Sequence, residues 1–253
     1  GKTAEEMQSV FHFPEDDNVR RSSFAKTHNQ INQEDNEYEL HTANALWAQE
    51  DYLFLDEYMG LIQQYYAGKI TNLDFEKETE KSRKIINDWV EAQTKNKITD
   101  LIPKGALSAM TRLVLTNAIY FKGIWVKQFD KKDTREQNFR ISPGNTVKVP
   151  MMSLTGKEAK FNYAETEKLQ ILEMPYEGEE LSMLVLLPKE DSLESLEESL
   201  DAEKLSGWKD ILREQQVNVY IPKFTFETKY FLAKNLQNMG MPAAFSMDAD
   251  FSG

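Results

Sequence analysis

The sequence predicts an α+β fold, in which long strands and separate helices follow one another without regular βαβ alternation. Residues 113–121 read as a strand, because apolar side chains alternate onto both of its faces. Residues 75–95 read as a long helix, with Ile86 and Val90 on its apolar stripe and charged residues opposite. No linker rich in Pro, Gly or Ser is present, so we predict a single domain over residues 1–253.

The N-terminal half is predicted to be mainly helical. Thr3 is the expected N-cap of the first helix, since Glu6 completes a capping box, and Pro14 ends this helix. Later elements of this half are a helix over 24–33, a strand over 38–48, a helix over 56–66 stopped by Gly68, and the helix over 75–95 with a buried stripe of Ile85, Ile86, Trp89 and Val90.

The part of the chain after residue 95 is predicted to be rich in strands. The acidic turn 177–180 contains Gly178 and joins two strands of a hairpin. Gly240 provides a left-handed stop for the last helix. The expected strands are 113–121, 139–140, 147–152, 159–164, 169–175, 181–187 and 217–226, and the expected helices are 193–199, 202–213 and 229–239.

Asn117 interrupts an otherwise apolar row in the strand 113–121. We expect both faces of this strand to be covered, because neither face is polar. A buried amide without a partner costs about 1–3 kcal/mol, so Asn117 must bond to a fixed group. This pattern suggests a polar latch between strands that are held together and then released.

The acidic composition limits the partners. The formal net charge is −12, which argues against nucleic acid, anionic membranes and sulfated polysaccharides as main partners. No apolar stretch approaches the roughly 20 residues of a membrane span, and the N-terminus has no signal-peptide pattern. The chain has no cysteine, so neither disulfides nor thiol chemistry are available to it.

No pattern of catalytic or metal-binding residues is present. The three histidines, His12, His28 and His41, lack the spacing of a metal site, and His28 reads as a structural side chain on a helix. Neither a Gly-x-Ser-x-Gly elbow nor a phosphate-binding glycine loop occurs. We therefore expect no enzyme activity, no metal and no cofactor.

The run from Asn117 to Trp125, Asn-Ala-Ile-Tyr-Phe-Lys-Gly-Ile-Trp, resembles a segment that serpins carry on a central strand of their large sheet. Other segments match the family in order along the whole chain. They are Thr3-Ala4-Glu5-Glu6-Met7 with Val10 and Phe13, Ile86-Asn87-Asp88-Trp89-Val90 with Thr94, Ile98 and Leu101-Ile102-Pro103, then Phe129, Thr134 and Phe139, Val149-Pro150-Met151-Met152, Ile221-Pro222-Lys223-Phe224, and Phe245-Ser246 with Ala249-Asp250-Phe251-Ser252-Gly253.

The resemblance implies a large central mixed β-sheet, additional β-sheets and surrounding helices. It also implies a chain that is incomplete at both ends, because serpins have two helices and a strand before the part matched here. The reactive loop, with its reactive bond, and the closing strands would lie beyond Gly253. Expressed alone, residues 1–253 would therefore aggregate or dimerise.

The resemblance assigns roles to three groups of residues. Asn117 and Phe121 belong to the shutter, the cluster that controls opening of the sheet; Trp125 and Lys223 belong to the breach, where the loop begins to insert; and Asn87, Trp89 and Thr94 belong to the helix that crosses the sheet. The plainer alternatives stay open at this stage: a satisfied amide for Asn117, core packing for the tryptophans and ordinary surface for Lys223.

The function implied by the resemblance is inhibition of a serine protease, or alternatively of a cysteine protease. Serpins act as suicide substrates, whose cleaved loop inserts into the sheet beside the strand 113–121. The main alternative is a non-inhibitory serpin that acts as a carrier, storage protein or folding assistant. An unrelated acidic interaction module would require the motif matches to be coincidental. No heparin binding is expected, and both a secreted and a cytoplasmic location are compatible with the sequence.

Overall fold

The computed structural model describes residues 1–33, 36–190 and 193–252. The helices are α1 (Lys2–Phe11), α2 (Asp17–Ile31), α3 (Asp56–Tyr66), α4 (Thr79–Gln93), α5 (Leu193–Ser199), α6 (Ala202–Asp210) and α7 (Ala233–Met239). The strands are β1 (Glu39–Gln49), β2 (Lys69–Leu73), β3 (Leu113–Lys122), β4 (Arg135–Ser142), β5 (Asn145–Leu154), β6 (Lys160–Glu165), β7 (Leu169–Pro175), β8 (Ser182–Pro188), β9 (Arg213–Gln216) and β10 (Val219–Pro222).

The described chain divides into two compact units. The first comprises Gly1–Asp35, Glu39–Phe121 and Thr228–Gly253, and the second comprises Asn36–Tyr38 and Lys122–Glu227. The organisation of residues 1–253 as one domain stays a prediction.

The first unit contains a three-stranded sheet with the order β2-β1-β3. β1 and β2 are parallel, with Ala45 opposite Lys69 and Gln49 opposite Leu73, and α3 connects them. This is a single βαβ unit within a fold that otherwise lacks βαβ alternation, as expected for the α+β class. The sequence-based reading missed β2, because its five residues alternate weakly and directly follow the end of α3.

β3 lies beside β1 and runs antiparallel to it. The ring of Tyr120 stacks with that of His41, Asn117 bonds to Asn44, and the carbonyl of Arg112 accepts a bond from the amide of Gln49. Residue numbers therefore increase along β1 while they decrease along β3, which is the pairing of antiparallel strands. Among the described strands of this sheet, β2 and β3 are at the edges and β1 is central.

The two faces of β3 differ, which corrects the expectation that both are covered. Thr116 and Ala118 are buried, whereas Leu115 is 63% exposed, Ile119 is 56% exposed and Asn117 is also exposed. Thr116, on the buried face, bonds to Trp47, whereas Leu115 and Asn117, on the other face, line a cavity beside α3. An apolar row indicates that a face is suited to burial, but it does not specify which element covers it.

The core of the first unit lies between this sheet and α4. Trp47 and Phe75 are almost completely buried together with Ile86, and Val90 is fully buried on the same helix. The predicted stripe of α4 is therefore confirmed at Ile86 and Val90. Ile85 is 37% exposed, and its placement in the buried stripe was wrong.

The second unit contains two antiparallel sheets, with the orders β10-β5-β4 and β8-β7-β6-β9. The hairpin of β7 and β8 is confirmed, and Gly178 has a left-handed φ of 85° in its turn. The predicted strand 217–226 is wrong in part, since β10 spans only Val219–Pro222, and Phe224 and Phe226 after it are exposed and lie outside any described strand.

Two helix starts also differ from expectation. Thr3 lies inside α1, whose N-cap is Gly1, and the Thr3 hydroxyl oxygen accepts a bond of 3.0 Å from the amide of Asp250. α2 begins at Asp17, because the carboxylate of Asp16 accepts bonds from two amides of the first turn. Among the described helices, none combines the length and apolarity that crossing a bilayer requires.

Candidate functional site

The predicted shutter residue Asn117 belongs to a chain of side-chain hydrogen bonds. Its Nδ2 donates to Oδ1 of Asn44 on β1 over 2.8 Å, and Nδ2 of Asn44 donates to the carbonyl of Tyr66, the last residue of α3, over 2.8 Å. Asn117 is therefore hydrogen-bonded, as expected, although it is exposed rather than buried. The chain connects β3, β1 and α3.

A cavity of about 510 Å³ lies beside this amide pair. Its walls include Leu61 and Ile62 of α3, Leu115 of β3, and both Asn44 and Asn117. Most of its lining is apolar. The amide pair of Asn44 and Asn117 thus borders a cavity between the sheet and α3.

Phe121 lies on the same face of β3 as Asn117, four residues further along the strand, and is 41% exposed. The structure therefore brings the two predicted shutter residues onto one face of one strand.

A second polar contact joins β1 and β3 on the covered face of the sheet. Nε1 of Trp47 donates to the hydroxyl oxygen of Thr116 over 3.0 Å, and both residues are buried. The Trp47 ring meets that of Trp89 of α4 edge-on, with ring centroids 5.6 Å apart. Trp89 of α4 therefore contacts β1 through Trp47.

Asn87 binds the segment that follows α4. Its Oδ1 accepts from the amide of Ile102 over 2.8 Å, and its Nδ2 donates to the carbonyl of Ile102 and to Oδ1 of Asp100, each over 3.0 Å. Arg83, one turn earlier and 4% exposed, donates to the same two acceptors over 2.7 Å. The bond to Asp100 raises the pKa of Arg83 above its ordinary value.

Thr94 caps the C-terminal end of α4 and is 1% exposed. Its hydroxyl donates to the carbonyl of Val90 over 2.9 Å and accepts from the amide of Ile98 over 3.1 Å. The Thr94 hydroxyl thus bonds both to the last turn of α4 and to the segment that follows the helix. Lys95 and Asn96, which follow it, have left-handed φ angles of 49° and 61°.

Trp125 lies in the second unit between two aromatic rings. Tyr176 stacks on it at 6.1 Å and Phe129 meets it edge-on at 5.7 Å. Backbone bonds from Val126 and Glu177 fix the chain around it. Its Nε1 is buried and has no hydrogen-bond partner among the described residues. A buried indole N–H normally finds an acceptor, so this group is unusual.

Lys223 follows β10, and its amide donates to the carbonyl of Pro150 over 2.8 Å. Its side chain is exposed, and no ion pair joins its ammonium to a carboxylate in the described part of the chain. No hydrogen bond between Lys223 and Trp125 occurs there either, so the two predicted breach residues are not in direct polar contact.

Sequence reasoning missed Asn44 and Arg83. Asn44 interrupts the apolar residues of β1 as Asn117 interrupts those of β3, so the same argument would have found it. Arg83 lies three residues before Ile86, on the stripe that α4 buries. Among the described residues, no group of three or more His, Asp or Glu side chains is arranged to hold a metal ion.

The sequence model of the family described as Serpin (serine protease inhibitor) matches residues 1–253. An uncharacterized serpin-like protein of Methanosarcina acetivorans is 42% identical over 252 residues, which cover 99% of this chain and 58% of that protein. Leukocyte elastase inhibitor A of Rattus norvegicus is 38% identical over 261 residues, which cover all of this chain and 68% of that protein.

Solved structures agree with these sequence matches. The ovalbumin of emu (Dromaius novaehollandiae) has a TM-score of 0.92 at 34% identity, and the match covers 98% of this chain and 68% of that one. A structure described as the loop-inserted form of a cleaved ovalbumin mutant has a TM-score of 0.91 at 31% identity, covering 100% and 70%.

These matches define an α+β protein with the serpin fold. The chain belongs to the serpin family. It spans a little under three fifths of the length of the first curated relatives that it matches, at 58% of each.

Proposed function

We propose that the full-length protein is a suicide-substrate inhibitor of a serine protease and is not itself an enzyme. The observation that carries this proposal is family membership: the Serpin model matches residues 1–253, and leukocyte elastase inhibitor A is among the relatives.

In the proposed reaction, the hydroxyl of the protease's serine attacks a peptide carbonyl of the reactive loop, which lies outside residues 1–253. The peptide bond breaks, the amine leaves with a proton, and an ester joins the loop to the protease. The cleaved loop then inserts as a strand beside β3. Insertion adds backbone hydrogen bonds. It also buries apolar surface, and each Å² buried stabilises the inserted form by about 25 cal/mol.

The amide pair of Asn117 and Asn44 is the proposed shutter latch. It bonds β3 to β1 through neutral side chains that are accessible to solvent, so it can exchange partners at low cost when the strands shift. Phe121, on the same face of β3, provides apolar area for whatever packs there.

α4 is the proposed crossing helix that must yield during insertion. It packs against β1 through the edge-on contact of Trp89 and Trp47. Asn87 and Thr94 bind the chain that follows the helix, so we expect α4 and residues 98–102 to move as one unit.

Trp125 and Lys223 are the proposed breach residues. The unpartnered Nε1 of Trp125 supports this role, because a carbonyl of an inserting strand would satisfy it. Lys223, exposed and without an ion pair among the described residues, is a suitable partner for an acidic residue outside residues 1–253.

The test is to incubate the full-length protein with trypsin-like, chymotrypsin-like and subtilisin-like serine proteases. We expect at least one protease to form a complex that survives boiling in SDS, because the ester is covalent. As a control, the same protease with its serine blocked by a sulfonyl fluoride should form no such complex.

Cleavage of the protein by every active protease, with no SDS-stable complex, would contradict inhibition. That outcome would favour the alternative of a non-inhibitory carrier, storage protein or folding assistant. A papain-like protease in the same series tests whether cysteine proteases are also targets.

A further inference from the structure

A charged and aromatic contact joins the end of α4 to two strands of the first unit. The ammonium of Lys95, the residue after the cap of α4, bonds to the carboxylate of Glu39 at the start of β1. The same ammonium lies 5.1 Å from the ring centroid of Tyr120 on β3. We call Lys95, Glu39 and Tyr120 the Lys95 clasp.

Glu39 and Tyr120, the strand residues of the clasp, are both next to His41. Glu39 and His41 lie two residues apart on β1 and therefore on the same face. The ring of His41 stacks with that of Tyr120, with centroids 6.3 Å apart and an interplanar angle of 21°. Tyr120 thus contacts β1 through the His41 ring and the end of α4 through the Lys95 ammonium.

The helix side of the clasp is held in an unfavourable backbone conformation. Lys95 and Asn96 both have left-handed φ angles, which are uncommon for residues other than glycine. Such a conformation persists where surrounding contacts fix it. Here the left-handed turn closes the C-terminal end of α4, because the amides of Lys95 and Asn96 donate to the carbonyls of Ala92 and Glu91. The Thr94 side chain and the clasp add to these backbone bonds.

We expect the Lys95 clasp to contribute more than an isolated surface ion pair. The Lys95 and Glu39 side chains are 52% and 41% exposed, and exposed pairs usually contribute little. Here the ammonium also interacts with the electron-rich face of Tyr120, which adds a cation–π attraction. The bond to Glu39 raises the pKa of Lys95, in agreement with a stabilised ammonium.

We propose that the Lys95 clasp fastens the C-terminal end of α4 to β1 and β3 and thereby sets how readily this end of the helix lifts from the sheet. An effect of the clasp on loop insertion rests on the proposed function, in which α4 moves away to admit the inserting strand.

The test compares Lys95→Met with Lys97→Met in the full-length protein by amide hydrogen exchange, without any protease. Lys97 is an exposed lysine two residues away with no ion pair among the described residues, so its variant removes the same charge without touching the clasp. We expect amides in the C-terminal half of α4 to exchange about three to ten times faster in Lys95→Met, and to be unchanged in Lys97→Met.

Two further variants keep the test decisive. Lys95→Arg retains a cation for both Glu39 and Tyr120, and its exchange should stay close to that of the unmodified protein. Glu39→Gln should accelerate exchange, and adding it to Lys95→Met should have little further effect, because both changes remove one interaction. Equal exchange in Lys95→Met and Lys97→Met, or acceleration in Lys95→Arg equal to that in Lys95→Met, would overturn the proposal.

The inference and the proposed function fail differently. If Lys95→Met accelerates exchange but no protease gives an SDS-stable complex, the clasp stands and the inhibitor proposal fails. If complexes form while the exchange of Lys95→Met matches that of Lys97→Met, the clasp fails and the inhibitor proposal stands. If both hold, Lys95→Met should also shorten the time between acylation and completed insertion.

Discussion

Polar side chains hold α4 and β3 in two different ways. In α4, the buried Asn87 and Arg83 make several bonds to the segment around Ile102, so the helix is tied to the chain that follows it. On the open face of β3, Asn117 makes a single side-chain bond to Asn44, and it is exposed. The comparison shows that buried side chains fix α4 to the segment that follows it, whereas the side-chain bond on the exposed face of β3 is one that water can replace.

The largest effect is expected for Asn87→Ala. This change removes three bonds and leaves both backbone groups of Ile102 without the amide, so we expect a loss of roughly 2–3 kcal/mol in the free energy of unfolding. Urea unfolding of the full-length protein measures it, with the exposed neighbour Asp88→Ala as the control. If the two variants are equally stable, the α4 network does not hold the segment.

An intermediate effect is expected for Asn44→Ala. It removes the bonds to Asn117 and to the carbonyl of Tyr66, and we expect a loss of about 1–2 kcal/mol, since both bonds are partly accessible to solvent. Asn72→Ala on β2 is the matched control, because Asn72 is exposed and its side chain makes no hydrogen bond among the described residues. Equal midpoints in urea for both variants would argue against a latch at Asn44.

The smallest effect is expected for Asn117→Ala, below about 1 kcal/mol, because one exposed bond is lost and water can replace it. A double-mutant cycle with Asn44→Ala should give a coupling energy of similar size. If Asn117→Ala lowered the free energy of unfolding as much as Asn87→Ala does, the proposed difference between β3 and α4 would be wrong. That outcome would mean that β3 is held as firmly as α4.

The positions of the strands and helices could largely be predicted from local sequence. β1, β3, β7, α3 and α5 agree with the predicted ranges to within one residue at each end. Each of these five has apolar periodicity or a clear boundary. β2 lacks both, and its pairing depends on β1, which is distant in sequence.

Burial was harder to predict than secondary structure. The apolar residues of β3 suit a covered strand, but Leu115 and Ile119 are exposed, because coverage depends on which elements pack against the face. Thr3 fits a capping box, yet it lies inside α1 and binds Asp250, a partner 247 residues away. Such long-range partners cannot be inferred from local spacing.

The candidate site was predicted in its residues but not in its connections. Asn87 and Thr94 bind the segment that follows α4. Trp89 contacts Trp47, and Asn117 binds Asn44. None of these connections was predicted, and none of them tests the assigned roles. Arg83 was missed because an arginine is rarely buried without partners, and its partners lie in the segment beyond the helix. The roles themselves remain proposals until the full-length protein is tested.

The central claim is that the sheet containing β3 accepts an additional strand. The most direct measurement is the thermal unfolding of the full-length protein before and after one cut in its reactive loop. We predict that the cleaved protein unfolds at a clearly higher temperature, because insertion adds hydrogen bonds and buries apolar area. An unchanged or lower unfolding temperature after the cut would contradict the claim.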